Sequence, residues 1–282
     1  MPLVINHNLM AMTAARNLGI TYEALSKSTT KLSSGLRINS AADDAAGLAV
    51  SELMRAEIAA LNQGVRNAYD AQSMIQIADG VLSVIDEKLI RMKELAAQAA
   101  TGTYTSVQRG IMNLEFSAMR SEITRIALAT RFNGVRLLDG SLSGTTATSG
   151  MKIHFGPTNR AAEDYYYIQM GDATATGLNI TGISIASQSA AQAALTSMST
   201  AIESKDSVRA NLGAFSNRLV NTVAQLAIQA ENLQAAESRI RDVDVALEMT
   251  TFMNNQIKAQ AAVAMLAQAN TVPQMALTLI GG

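Results

Sequence analysis

The sequence predicts a mainly α-helical protein of long antiparallel, coiled-coil-like helical rods, with a small β-hairpin region and N- and C-terminal helices that pair. Three observations carry this expectation. Two stretches keep an apolar heptad seam over many turns, both terminal stretches are apolar and nearly uncharged at helical spacing, and one short interval between the rods turns to β-rich residues. Composition agrees: 48% of the 282 residues are apolar, yet aromatics make up only 4%, Trp is absent and Met numbers 15. Such small and unbranched side chains suit closely packed helices.

Before Ser33 the only charges are Arg16, Glu23, Lys27 and Lys31, while Ile5, Leu9, Leu18, Tyr22, Leu25 and Leu32 recur at steps of three and four or their sums. That is an amphipathic helix. Ser40 then stands three residues before Asp43, and Asp43-Asp44 places negative charge where the next helix begins. Adjacent acids also suit a metal, but no His or third acid lies nearby, and capping is the better reading. From Ala46 to about Ala100 there is no Pro, and Leu61, Ala68, Ile75, Leu82, Leu89 and Ala96 repeat every seven residues. Gly64, Ala71, Ala78, Ile85, Met92 and Ala99 follow three further on, completing a seam on a helix expected to extend roughly 80 Å.

A break at TGTYTS, residues 101–106, precedes a helix expected to put Val107, Ile111, Leu114, Ala118, Ile123 and Ile126 on one face. RFNGVRLLDG, residues 131–140, ends it, since Asn133-Gly134 and Asp139-Gly140 tolerate positive φ. Between Ser141 and Ala186 the chain is rich in Gly, Thr and Ser, and MKIHF, YYYIQM and LNITGISI read as short strands and hairpins. Helix returns from about Ser189 to Ser238, with Leu212, Leu219, Leu226 and Leu233 one heptad apart and Val208 and Phe215 supporting the seam. Residues 249–282 carry one charge, Lys258, and Phe252, Ala259, Val263, Leu266, Pro273 and Leu277 form a heptad-like stripe that Gln256 and Asn270 interrupt; Ile257 adds to the apolar surface. Polar residues in such a seam can set register. The simplest arrangement is an elongated hairpin of rods, with the β segment at one end and the two terminal helices together at the other. Apolar terminal helices then need partners, and self-assembly supplies them.

Net charge is −1 and no basic run occurs, which leaves nucleic acid without an electrostatic footprint. The absence of Cys excludes disulfides and thiolate chemistry, and suits a chain that travels unfolded or works outside the cell. No basic region precedes the first apolar residues, so no Sec signal peptide is expected, and the apolar run after Ala259 is broken too often by Gln, Asn and Pro to span a membrane. His7 and His154 stand far apart without a triad or metal pattern, so no catalytic residue, metal or cofactor is expected. Asp86-Glu87-Lys88 and Arg91-Met92-Lys93-Glu94 read as a solvated or inter-subunit face. Asn179-Ile180-Thr181 is a lone sequon, and Ser/Thr in 141–187 are better candidates for O-linked sugar.

The segments INHNLMAMTAARNL, LSSGLRINSAADDAAGLAVSE, RFNGVRLLDG, VRANLGAFSNRL, ENLQAAESRIRDVDVALEM and MLAQANTVPQMALTLI, in that order, resemble bacterial flagellin across residues 1–140 and 187–282. The resemblance implies that 1–42 and 240–282 form an inner-tube domain and that 43–140 and 187–239 form a helical-rod domain, with 141–186 as a short variable β region. It implies self-assembly residues Ile5, Leu9, Leu18, Tyr22, Leu25, Leu32, Phe252, Ile257, Val263, Leu266 and Leu277, and rod-seam residues Leu61, Ile75, Leu82, Leu89, Leu212, Leu219, Leu226 and Leu233. Large outer domains are missing, so a thin, smooth filament is expected. The implied subunit is exported unfolded by the flagellar type III route to an extracellular filament, with an export chaperone, filament cap and hook-junction proteins as partners. Hook–filament junction proteins share such terminal helices and are the alternative reading. A vertebrate innate immune receptor reads a rod patch in many flagellins, and the matching positions here are Arg91, Glu94, Leu95, Gln98 and, on the next helix, Glu115, with Ile90 and Ala97 departing from the pattern.

Overall fold

Side-chain capping sets where the helices begin. Asn8 caps α1 (Leu9–Ser34), its Oδ1 accepting from the Ala11 N–H at 3.0 Å, and Gly35 ends that helix in the left-handed region at φ 73°. Asp44 opens α2 (Ala45–Ala100), accepting from the Gly47 N–H at 2.9 Å. Asp43 acts one step earlier, where its Oδ2 gathers the Asn39 and Ser40 N–H groups and so folds the turn before the helix. Thr105 and Gln108 form a reciprocal capping box at the start of α3 (Ser106–Ala129). α4 covers Gln188–Arg241, and Asp244 caps α5 (Val245–Ile280), accepting from Ala246 and Leu247. The computed structural model describes residues 7–144, 150–161 and 163–280, with side chains to Met275. Ile5 lies outside the described residues, as does the side chain of Leu277.

The chain divides into two compact units, residues 57–231 and residues 1–56 with 232–282. In the larger unit all the heptad positions of α2 from Leu61 to Ala99 are buried, each at 3% exposure or less where hydrophobic. Leu212 and Leu219 of α4 join the same core, together with Ala191, Ala194, Met198 and Ala201. Ion pairs between residue 79 and 209 and between 86 and 205 set α2 and α4 antiparallel. α3 buries Phe116, Ile123 and Ala127 and half-buries Met112 and Met119 against this core. The expected α3 face is therefore wrong over its first half: Val107, Ile111 and Leu114 are 64–73% exposed, and Ala118 is exposed too.

Asn133 and Gly134, at φ 48° and 82°, make the two-residue turn between β1 (Arg131–Phe132) and β2 (Val135–Arg136). A second antiparallel hairpin joins β3 (Met151–His154) and β4 (Tyr165–Ile168), with His154 opposite Tyr165. Asp164 closes its loop, accepting from the Thr158 hydroxyl and the Arg160 N–H. The backbone of this hairpin crosses α2 where Gly64 leaves room: a Cβ there would lie 1.8 Å from the Phe155 carbonyl oxygen. LNITGISI is not a strand. It runs as turns that bury Leu178, Ile180 and Ile185, and the side chains of Asn113 and Arg120 bond its backbone in place of a neighbouring strand.

In the smaller unit α1 packs antiparallel on α5, Asn8 donating to the Ala269 carbonyl at one end. At the other end the connections into α2 and from α4 zip together. Arg37 N–H donates to the Arg241 carbonyl at 2.6 Å and Val243 N–H to the Gly35 carbonyl at 3.0 Å, over a fully buried Ile38.

Candidate assembly surface

On α1 the positions turned inward are Ala11, Ala14, Leu18, Thr21, Leu25, Ser28 and Leu32, a three-four repeat dominated by small side chains. α5 answers with Phe252, Asn255, Ala259, Ala262, Leu266, Ala269 and Pro273. Ser28 and Ala259 are buried at 3% and 6% exposure, so the two helices meet closely where side chains are smallest. The stripe expected from the sequence contains Phe252, Ala259, Leu266 and Pro273 but has Gln256, Val263 and Asn270 at the intervening positions. The seam steps by three before it steps by four, so Asn255, Ala262 and Ala269 turn inward and Gln256, Val263 and Asn270 stay exposed.

The expected assembly residues thus divide. Leu18, Leu25, Leu32, Phe252 and Leu266 are half-buried within the α1–α5 pair, whereas Leu9, Tyr22, Ile257 and Val263 are exposed at 47–65%. α5 is apolar on its outer sides as well, with Val245, Leu247 and Met253 more than half exposed. Near one end of the pair, Leu9, Met10, Ala14, Ala262, Met265 and Val272 line an apolar groove of about 700 Å³. So much contiguous apolar surface on two paired helices marks a protein interaction site. Lys258 is exposed and forms no ion pair among the described residues.

In the larger unit Leu61, Ile75, Leu82, Leu89, Leu212, Leu219 and Leu226 are buried, and Leu233, half-buried, belongs to the smaller unit. One seam position breaks the apolar rule. Lys205, one heptad before Leu212, is buried at 2% exposure, and its Nζ donates to Asp86 Oδ1 and Asp206 Oδ1, each at 2.6 Å. Burial works against the ammonium, but the bonds to Asp206 and Asp86 outweigh it and hold the Lys205 pKa above its ordinary value. Arg209, a turn further on, pairs with Asp79 at 2.6 Å. Asp86 is therefore half-buried and engaged by Lys205; the signal was a charge standing on the Leu212–Leu219 heptad line.

Arg91 reaches Glu94 at 3.2 Å on its own helix and Glu115 on α3 at 3.0 Å. Their hydrogen bonds, Glu94 first, push the Arg91 guanidinium further above its usual range. Gln98 donates to the Tyr104 hydroxyl, while Leu95 is buried at 2% exposure and underlies the patch. Among the described residues no group of three or more His, Asp or Glu could hold a metal ion, and no helix is long and apolar enough to cross a membrane.

A pair of antiparallel rods in one unit and an apolar, outward-facing helix pair in the other define the class of a filament subunit. Sequence comparison gives that class its family. The bacterial flagellin N-terminal helical region matches residues 5–143 and the bacterial flagellin C-terminal helical region matches residues 195–280, and the chain belongs to the bacterial flagellin family. Flagellin FlaB2 of Treponema pallidum is 43% identical over 99% of this chain and 100% of its own. A flagellin of Halalkalibacterium halodurans is also 43% identical, over 99% and 100%. The crystal structure of Bacillus cereus flagellin aligns at 31% identity and a TM-score of 0.48, covering 61% of this chain and 94% of that one.

Proposed function

We propose that this chain is the structural subunit of a bacterial flagellar filament, polymerising with itself through the α1–α5 pair. Relatives matching from end to end carry the names flagellin and flagellar filament core protein, so the filament reading is preferred over the hook–filament junction. The observation that carries it is the outward apolar surface of two helices already paired with each other. Each large apolar side chain there is already partly covered, so covering the remainder stands to contribute ~1–2 kcal/mol, roughly half the value for full burial. A non-closing contact between unlike patches then builds an open helical fibre outside the cell.

On this reading residues 1–42 and 240–282 line an inner tube, 43–140 and 187–239 form the rod, and 141–186 give a thin outer surface. Exported unfolded by the flagellar type III route, the subunit meets an export chaperone inside the cell and hook-junction and cap proteins at the growing filament. Absence of Cys supports passage as an open chain. The exposed Arg91, Glu94, Gln98 and Glu115 support contact with a vertebrate innate immune receptor, with Leu95 as a packing residue beneath them. Electron microscopy after salt-induced polymerisation tests the central point. The full chain is expected to form filaments and a chain lacking residues 249–282 to form none; filaments from the truncated chain would refute the role of α5.

A further inference from the structure

The methionines of this chain are sorted by exposure. Each of the six in α1 and α5 is exposed: Met10, Met12, Met249, Met253, Met265 and Met275 range from 42% to 65%. Among the described residues none of the eight others is: Met74, Met92, Met170 and Met198 are at most 2% exposed, and Met54, Met112, Met119 and Met151 are intermediate. Leu or Ile would provide the same apolar area. What Met adds is a thioether that packs adaptably and that oxidants reach when it is exposed. Met10 and Met265 also line the groove of about 700 Å³ between the two helices.

We infer that the α1–α5 surface is an oxidation-gated assembly face, on which conversion of its methionines to sulfoxides blocks addition of the subunit to another copy of this chain. This rests on the filament reading above. With hydrogen peroxide as oxidant, the sulfur lone pair attacks one peroxide oxygen, an S–O bond forms and the O–O bond breaks. Sulfur is oxidised, the peroxide is reduced, and the proton of the transferred oxygen leaves with the departing hydroxide as water. Each sulfoxide puts a polar S=O group on a surface that assembly must desolvate, and a polar group buried without a partner opposes burial. Incorporated subunits are protected, because a neighbour covers the same sulfurs. The gate therefore acts on free subunits and spares finished filament.

The test starts from purified full-length monomer treated with hydrogen peroxide, followed by peptide mass mapping and by elongation of untreated filament seeds. Oxygen is expected on Met10, Met12, Met249, Met253 and Met265 well before Met74, Met92, Met170 and Met198. The monomer concentration needed for elongation is expected to rise about tenfold or more, and methionine sulfoxide reductases acting on both epimers to restore it. A chain carrying Met→Leu at all six positions is compared with its own untreated control, and peroxide should no longer change its elongation. Filaments treated in parallel should keep these sulfurs reduced. Oxidised monomer that elongates like untreated monomer, or sulfoxides that form first in the buried set, would overturn the inference and leave the filament reading intact. Untreated monomer that fails to elongate seeds would instead overturn the filament reading itself.

Discussion

Two residues show how a single side chain constrains the rod. Lys205 occupies a seam position that its helix otherwise fills with apolar groups, and it persists there because Asp86 and Asp206 both accept from its ammonium. Replacing both partners of a buried ion pair with apolar side chains is often neutral or stabilising, but removing one partner leaves the other charge uncompensated, and truncation leaves a void as well. Lys205→Met, which strands the Asp86 and Asp206 carboxylates, is therefore expected to lower the urea midpoint of the monomer, and Lys205→Ala, which adds a void, to lower stability further, by ~2–3 kcal/mol in all. Because the folded-state pKa of Lys205 is raised, its contribution is complete below the ordinary value of 10.5 and is lost as pH climbs through the folded value, a loss that Lys205→Met should abolish. The second residue is Gly64. Any Cβ there collides with the Phe155 carbonyl, so Gly64→Ala must push the β3–β4 hairpin off α2, at a cost of ~2–3 kcal/mol read by thermal denaturation. The equivalent change at Gly80, where nothing lies within 4 Å, is the control and should be neutral or mildly stabilising.

At the scale of elements, the α1–α5 pair buries Ser28 and Ala259 more completely than its leucines. Ala259 is buried against α1 at 6% exposure, so Ala259→Leu is expected to wedge the helices apart and cost ~1–3 kcal/mol, lowering the melting temperature of the pair followed by circular dichroism. Val263→Leu, one turn away on the exposed side, should leave the monomer unaffected. The same contrast explains which elements were legible. α2 was, since its seam repeats every seven residues and all of its positions are buried within one chain. α3 was not, because Val107, Ile111 and Leu114 keep a helical apolar period while facing outward, and periodicity does not say whether the covering partner belongs to the same chain. LNITGISI failed for another reason: its β-branched residues reach the core from turns whose backbone groups are satisfied by Asn113 and Arg120, side chains far away in sequence. On the assembly surface the residue types were legible and the phase of α5 was not, since Ala262 and Val263 are equally apolar and only packing against α1 distinguishes them.

At the scale of the whole molecule, acid links the two units. Asp43 and Glu52 belong to the smaller unit and Glu122, Asp139 and Asp164 to the larger, and all five carboxyls are held below their ordinary pKa values. The leading cause differs with place: the Ser40 N–H for Asp43, the Arg241 and Arg125 guanidinium groups for Glu52 and Glu122, and the Ser141 and Thr158 hydroxyls for Asp139 and Asp164. A depressed folded pKa stabilises the fold above the unfolded values, here 3.8 for Asp and 4.5 for Glu, and that contribution disappears as pH falls through the folded values. Below those values the unfolded chain binds more protons than the folded one, so each step of acidification favours unfolding. Both units should therefore weaken in one window, below about pH 4.5, and not in sequence. Amide hydrogen exchange between pH 3 and pH 6, corrected for intrinsic exchange rates, is expected to show protection in α1 and in α3 falling together. Protection that fell in α1 alone would mean that the carboxyls of the larger unit are not held as their hydrogen bonds indicate. Protection that rose on acidification would contradict the sign for the whole set.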